Sequence, residues 1–261
     1  MEATSAPSKR IAVGNVINET FSVYGANFGP LIGSALVVFI VVGIIAGILD
    51  AIGGVILAIL STIVLLAGEA LYVGFVVKLV EDVRDGRRDL TMGDLFSAAA
   101  PSIMPLIAFG ILFGLGVGIG LILIIIPGLI LLTMWAVGAP AIVAEGAGPI
   151  EAFGRSWRLV RGNGWPVFGS LLLILIIVVL VRFVLLAIAA GIGNGAIVVA
   201  SILAGAATAP IFAIAVTVMF FDLGGGSGGS SAAPAEAAAP PPPPSTSSPP
   251  PPSSPPPPPA S

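Results

Sequence analysis

The sequence predicts an all-α membrane protein with six transmembrane helices in three hairpins, each hairpin preceded by a short interfacial helix, and a disordered C-terminal tail. Composition is the first observation behind this fold class. Hydrophobic residues make up 57% of the 261-residue chain and charged residues 9%, whereas a soluble domain carries about 25% charged residues. The second observation is a set of long stretches without any charge, among them 20–49, 95–144, 162–181 and 183–221.

The six spans follow from these uncharged stretches, since a helix needs about 20 apolar residues to cross a bilayer. The stretch 95–144 holds two spans, and Ile-Pro-Gly at 126–128 divides it because proline is tolerated in the first turn of a helix. The spans are predicted near 30–50, 54–78, 103–122, 126–146, 166–188 and 196–221. The chain then divides into a disordered N-terminus at 1–10, a transmembrane domain at 11–222 and a tail at 223–261.

The basic residues predict the orientation. In the six-span arrangement nine of the ten lie on one side of the membrane, and these are Lys9, Arg10, Lys78, Arg84, Arg87, Arg88, Arg155, Arg158 and Arg161. Lys and Arg are retained on the cytoplasmic side of a membrane. We therefore expect both termini in the cytoplasm, whereas five or seven spans would scatter these charges over both sides.

The chain resembles itself at three places. Residues 21–40 and 157–176 share an aromatic residue, an asparagine, a proline and Gly-Ser at the same offsets, with Asn27 matching Asn163. Residues 96–115 form a weaker third copy. Each copy precedes a pair of spans, which indicates three related units. The competing explanation is that proline and glycine cluster at membrane entry points in any case.

The third entry segment is amphipathic. Ile150, Phe153, Trp157 and Val160 form an apolar stripe, and the opposite side carries Glu151, Arg155, Arg158 and Arg161. Such a helix can lie among lipid headgroups, so the three arginines are predicted to contact anionic lipid. The alternative is a helix packed on the cytoplasmic end of the bundle with its charges merely solvated.

Glu145 and Ser156 are predicted to have structural roles at the cytoplasmic end. Glu145 ends the fourth span just before the amphipathic segment, where Arg155 or Arg158 could pair with it. The functional alternative is a cytoplasmic site that combines Glu145 with Ser156 and Arg161.

Two ionisable residues fall within spans, Glu69 in the second and Arg182 in the fifth. Each costs about 2.5–3.5 kcal/mol at a helix centre, so such residues are functional hypotheses by default. For Arg182 the structural alternative is to extend outward to Asp50, which ends the first span. Glu69 lies about 10 Å deeper than Arg182 at 1.5 Å per residue, which favours Asp50 as the partner.

Glycines in the spans predict close helix packing rather than a nucleotide loop. Gly110, Gly114 and Gly118 have small-xxx-small spacing, as do Gly43 and Gly47. Pro210 predicts a kink in the sixth span. The tail holds 15 of the 24 prolines between 234 and 259, which is typical of a linker or spacer.

The run PAIVAEGAGPIEAFGRSWRLVRGNGWPVFG at 140–169, with IPG at 126–128 and VRDGRRDLTMGDLF at 83–96, resembles a prokaryotic multi-pass family. This is the membrane domain sometimes attached to glycerophosphoryl diester phosphodiesterases, related to YciC-like uncharacterised membrane proteins. The resemblance covers roughly residues 10–222 and implies six spans in the cell membrane. It implies no phosphodiesterase activity, because that activity belongs to a separate soluble domain.

Function is constrained mainly by missing residue types. The chain has no histidine and no cysteine, which removes imidazole bases, thiolate nucleophiles and most transition-metal sites. No catalytic, metal or cofactor site is predicted, and the net charge of −3 does not suggest a nucleic-acid partner. The favoured hypothesis is a non-enzymatic scaffold or accessory protein that organises lipids or protein partners through its cytoplasmic face or tail. The alternative is a transporter or lipid-handling protein, and an intramembrane enzyme is the least favoured.

Overall fold

The structure is a computed structural model that describes residues 11–86 and 90–226, with the backbone alone at 194–199. These residues form ten α-helices. The predictions for the N-terminus and for most of the tail lie outside the described residues. The helices are α1 Val13–Ala26, α2 Phe28–Ile52, α3 Val55–Arg84, α4 Met92–Ala99, α5 Ile103–Leu123, α6 Ile125–Trp135, α7 Gly138–Glu145, α8 Pro149–Val160, α9 Gly164–Ala190 and α10 Asn194–Asp222.

Six segments are long and apolar enough to cross a membrane, which confirms the predicted all-α, six-span fold class. They are α2, α3, α4 continued into α5, α6 continued into α7, α9 and α10. The short helices α1 and α8 precede the first and third hairpins as predicted, whereas α4 continues through a 3-10 turn at Ala100–Ser102 into α5. Thr91 and Asp94 form a reciprocal capping box that starts α4.

The related units have matching local structure. Asn27 and Asn163 precede α2 and α9 with nearly the same backbone angles, φ −120° and ψ 26° against φ −120° and ψ 19°. Seven residues further on, the buried hydroxyls of Ser34 and Ser170 both donate to a backbone carbonyl of the preceding turn. The shared sequence pattern is therefore accompanied by a shared way of entering a span.

Helix α10 lies at the centre of the bundle, in contact with α1, α2, α3, α7 and α9. Protein buries 67% of its most apolar window, against 11% for α9, so α9 presents far more surface to lipid. Small side chains permit this central position, because helices approach closely over alanine and glycine. The buried small residues of α10 include Ala204, Ala206, Ala213 and Ala215.

The fourth span is broken, whereas its hydropathy predicts one helix over 126–146. Helix α6 ends at Trp135 and α7 begins at Gly138. Pro140 provides the local reason, because proline has no N–H to donate to the carbonyl four residues earlier. The sixth span, by contrast, stays helical through Pro210.

The predicted glycine ridges are wrong. A Cβ added at Gly43, Gly47, Gly110, Gly114 or Gly118 would meet no atom within 4 Å. The close approach instead uses Gly116 and Gly120, on the other side of α5, where a Cβ would stand 2.6 Å from the Trp135 ring and 2.9 Å from the Gly128 Cα respectively. Glycine occurs at every second position from Gly114 to Gly120, so the sequence does not indicate which face of α5 packs against its neighbour.

The first residues of the predicted disordered tail belong to the folded unit. Gly225 N donates to Phe220 O at 2.9 Å, and Gly226 N donates to the Glu145 carboxylate at 2.9 Å. Residues 223–226 therefore close the end of α10 and attach it to the end of α7.

Two truncations separate these residues from the rest of the tail. A chain ending after Gly226 is expected to melt in detergent at the same temperature as the full chain, since it keeps both hydrogen bonds. A chain ending after Asp222 should lose about 1 kcal/mol of unfolding free energy. If the chain ending after Gly226 melted at a lower temperature than the full chain, residues 227–261 would contribute to the stability of the bundle.

Candidate functional site

A partly open cavity of about 1030 Å³ lies between the spans, and several of its lining side chains, such as Ile40 and Ile44, are exposed. Helices α2, α3, α5 and α10 supply most of its wall, to which the break between α6 and α7 adds Ala136 and α7 adds Ala139. The wall is mainly apolar and includes the rings of Phe39, Phe113 and Phe212. Gly43 and Gly110 also line it, so two of the glycines predicted to pack helices instead leave space.

The two intramembrane ionisable residues predicted from sequence, Glu69 and Arg182, both line this cavity. At about 1.5 Å per residue, Arg182 lies about 12 Å along α9 from Ala190, and Glu69 about 21 Å along α3 from Val55. The six-span topology places both of those helix ends on the same side of the membrane, and the two Cα positions differ by about 9 Å when counted along the helices from these ends. The cavity thus carries opposite charges at two levels.

Arg182 reaches across to α10. Its Nη2 atom lies 3.4 Å from the place where a Cβ on Gly205 would stand. Arg182 and Gly205 also line a second cavity of about 250 Å³, together with Leu175 and Val178. The guanidinium therefore lies at the boundary of two cavities, over a position where α10 has no side chain.

The predicted pairing of Arg182 with Asp50 is wrong. Asp50 is exposed near the end of α2, and no acid among the described residues lies within 4 Å of the Arg182 guanidinium. Helix α9 packs against α10, α1 and α6, whereas α2 packs against α3 and the other side of α10. The side chain of Arg182 is exposed and lies against Gly205 of α10 rather than beside Asp50.

Glu145 and Arg155 form a bidentate ion pair at the predicted cytoplasmic end. Arg155 Nε and Nη2 donate to the two carboxylate oxygens at 2.7 and 2.6 Å. The hydrogen bond to Glu145 raises the pKa of Arg155, and burial opposes this only in part. The pair joins the end of α7 to α8 across the turn at 146–148.

Ser156 has a different role from Glu145, and the two do not form a common site. The buried Ser156 hydroxyl donates to Met134 O at 2.8 Å and accepts from Val137 N at 3.2 Å. These are backbone groups that the break between α6 and α7 would otherwise leave unpaired. Both residues thus have structural contacts, and Glu145 and Ser156 do not combine in the alternative cytoplasmic site with Arg161.

Helix α8 both packs on the bundle and presents an exposed face. Ala152, Ser156, Leu159 and Val160 are buried, and the Phe153 ring stacks on Phe109 at 4.5 Å between centroids. The other face exposes Ile150, Trp157, Arg158 and Arg161. Since Glu145 engages Arg155, two of the three arginines predicted to contact anionic lipid keep an exposed side chain without a described ion pair.

Arg84 is a junction that sequence reasoning treated only as an orientation signal. Its guanidinium, at the end of α3, binds Glu19 of α1 and Asp222 of α10. It also lies over the Phe221 ring, 5.3 Å from the centroid. The charge pattern identified these groups as cytoplasmic, but no spacing in the sequence joins residues 19, 84 and 222.

No family model, curated protein or solved structure matches the chain.

Proposed function

We propose that this integral membrane protein binds an amphiphilic, lipid-like molecule in the 1030 Å³ cavity and acts in lipid handling. The single observation that carries the proposal is this cavity at membrane depth, apolar over most of its wall and charged at Glu69 and Arg182. Ligand pockets commonly measure about 300–1,000 Å³ and combine an apolar wall with a few polar groups. The cavity has the size and lining that an acyl chain with a polar headgroup requires.

The cost of the two charges supports a ligand. Each ionisable group costs about 2.5–3.5 kcal/mol near the centre of a span, and neither Glu69 nor Arg182 forms a salt bridge with another described residue. A protein that only organised partners at its surface would not need two ionisable groups within its spans. A bound headgroup offers both side chains polar partners.

A non-enzymatic role agrees with the lining. Glu69 is the one acid on the cavity wall in the described part of the chain, whereas carboxylate catalysis uses pairs of acids whose pKa values are driven apart. The family resemblance and the cytoplasmic position of both termini remain part of this proposal. The quoted motif residues support the resemblance, and the one-sided basic residues support the orientation.

The second candidate function, a scaffold at the cytoplasmic leaflet, is favoured by the exposed face of α8. Trp157 is 41% exposed beside Arg158 and Arg161, and an aromatic ring with basic neighbours suits an anionic membrane surface. Two arginines contribute about 2 kcal/mol at most there, less than the about 3 kcal/mol that the three arginines predicted from sequence would contribute.

One experiment separates the two functions. The protein is incubated in micelles with a mixture of phosphatidylglycerol, phosphatidylethanolamine and diacylglycerol, and lipid retention is followed by native mass spectrometry. Gly110→Phe places a ring in the cavity, whereas Gly118→Phe adds the same ring on the same helix at a position that does not line it. A third variant combines Arg158→Gln with Arg161→Gln.

Cavity binding predicts that Gly110→Phe loses retained lipid while Gly118→Phe and the arginine variant keep it. Loss in the arginine variant alone would favour the scaffold role. Equal retention by Gly110→Phe and the wild type would remove the cavity as the binding site.

A further inference from the structure

We propose, resting on the function above, that the cavity selects an amphiphile with an anionic headgroup, phosphate or carboxylate, and that Arg182 binds this headgroup at the level of Gly205. The charge arrangement around Arg182 carries the argument. No acid among the described residues lies within 4 Å of the guanidinium, although it lies about 12 Å inside the end of its span.

Arg182 is exposed, and its side chain lies against α10. An arginine at this depth ordinarily extends along its helix toward the headgroup region. Here the side chain crosses to α10 and lies over Gly205, which has no side chain to exclude it. Its position at the boundary of the 1030 Å³ and 250 Å³ cavities leaves space beside the guanidinium for a ligand group.

An anion is the complementary partner for such a group. Guanidinium has five N–H donors in a planar fork and no acceptor, and the fork matches carboxylate and phosphate oxygens in pairs. These charge-assisted hydrogen bonds are stronger in a low-dielectric setting than in water. A neutral headgroup would leave the positive charge uncompensated within the membrane.

The apolar walls indicate where the chains of the amphiphile lie. Beside Arg182 the smaller cavity is bounded by Leu175, Val178 and Phe212, and the larger one by further aliphatic and aromatic side chains. Glu69 of α3 also lines the larger cavity, and a carboxylate there repels an anion. The headgroup is therefore confined to the Arg182 level, and the chains occupy the rest of the cavity.

Competition among three probes that each carry one oleoyl chain tests the proposal: oleoyl lysophosphatidylglycerol, oleate and the neutral lipid monoolein. Wild-type protein in neutral micelles should bind at least one anionic probe about tenfold more tightly than monoolein. Preference for lysophosphatidylglycerol alone identifies a phosphate ligand, and preference for oleate identifies a carboxylate. Equal affinity for all three probes overturns the proposal, and this measurement needs no variant.

Variants then assign the preference to Arg182. Arg182→Gln should lower the affinity for the preferred anion about tenfold and leave monoolein unchanged, whereas Arg182→Lys should keep part of the preference. Combined Arg158→Gln and Arg161→Gln serve as the control and should change neither. An anion preference that survives Arg182→Gln, or that disappears in the control, contradicts the assignment. If Gly110→Phe leaves binding intact, the proposed cavity function is wrong. If all three probes bind with equal affinity and Gly110→Phe abolishes that binding, only the inference about the headgroup is wrong.

Discussion

The substitution Gly128→Ala is expected to destabilise the transmembrane domain by about 1–3 kcal/mol, the usual cost of overpacking. Helices α5 and α6 are joined by Ile124 alone, so they must come together within a few residues of the turn. They do so at Gly120 and Gly128, four residues to either side. A Cβ at Gly128 would stand 2.5 Å from the backbone nitrogen of Leu121, an atom that cannot move without displacing α5.

Gly118→Ala is the matched control for this experiment. It lies in α5 two residues from the contact, and its Cβ would meet nothing within 4 Å. Alanine favours the helix over glycine by about 0.5–1 kcal/mol, so this variant should melt at or slightly above the wild-type temperature. Melting temperatures of both variants in one detergent provide the measurement. Equal behaviour of the two would mean that α5 and α6 do not meet at Gly128.

Arg84→Gln is expected to lower the unfolding free energy by about 1–3 kcal/mol, between the values for exposed and buried ion pairs. Glutamine leaves the carboxylates of Glu19 and Asp222 without their shared cation and removes the cation–π contact with Phe221. The side chains concerned are 22–35% exposed, so solvent screens part of the loss. Because the junction ties α1 to α3 and α10, proteolysis of the α1 segment should also accelerate.

Lys78→Gln is the control, since it removes a basic residue from the same helix. Lys78 pairs with Glu81 within α3, at 2.8 Å, and this pair connects no other helix. Its loss should cost about 0.5 kcal/mol or less. Thermal melting and limited proteolysis of the two variants compare the junction with a local pair. If Lys78→Gln proved as damaging as Arg84→Gln, loss of basic charge in general would explain both results.

Hydropathy predicted the spans well because crossing a bilayer is a property of a continuous segment. The predicted first span, 30–50, became Phe28–Ile52, and the predicted third span, 103–122, became Ile103–Leu123. The second span continues to Arg84, beyond its predicted end at residue 78. Hydropathy missed this extension because the last turns of the helix are polar. Pro140 was visible in the fourth span, but the hydroxyl that makes the break tolerable belongs to Ser156 of another helix.

Ion pairs were predictable only over short separations. Glu145 and Arg155 are ten residues apart across one turn, and the sequence offered either Arg155 or Arg158 as the partner. Arg84 meets Glu19 and Asp222 across separations of 65 and 138 residues, which no local pattern encodes. For Arg182, an estimate of depth identified Asp50 as a partner, but α10 lies between their helices.

The sequence by itself determined that the chain is a membrane protein, how many spans it has, where they begin and which residues are costly to bury. These properties follow from transfer free energies summed along a segment, and lipid imposes them on each helix separately. Only the tertiary structure decided which face of α5 packs, where Arg182 lies and that a cavity with two charges exists. Those depend on which helices become neighbours, and among apolar helices in lipid that choice is made by the fit of small and large side chains across the interface.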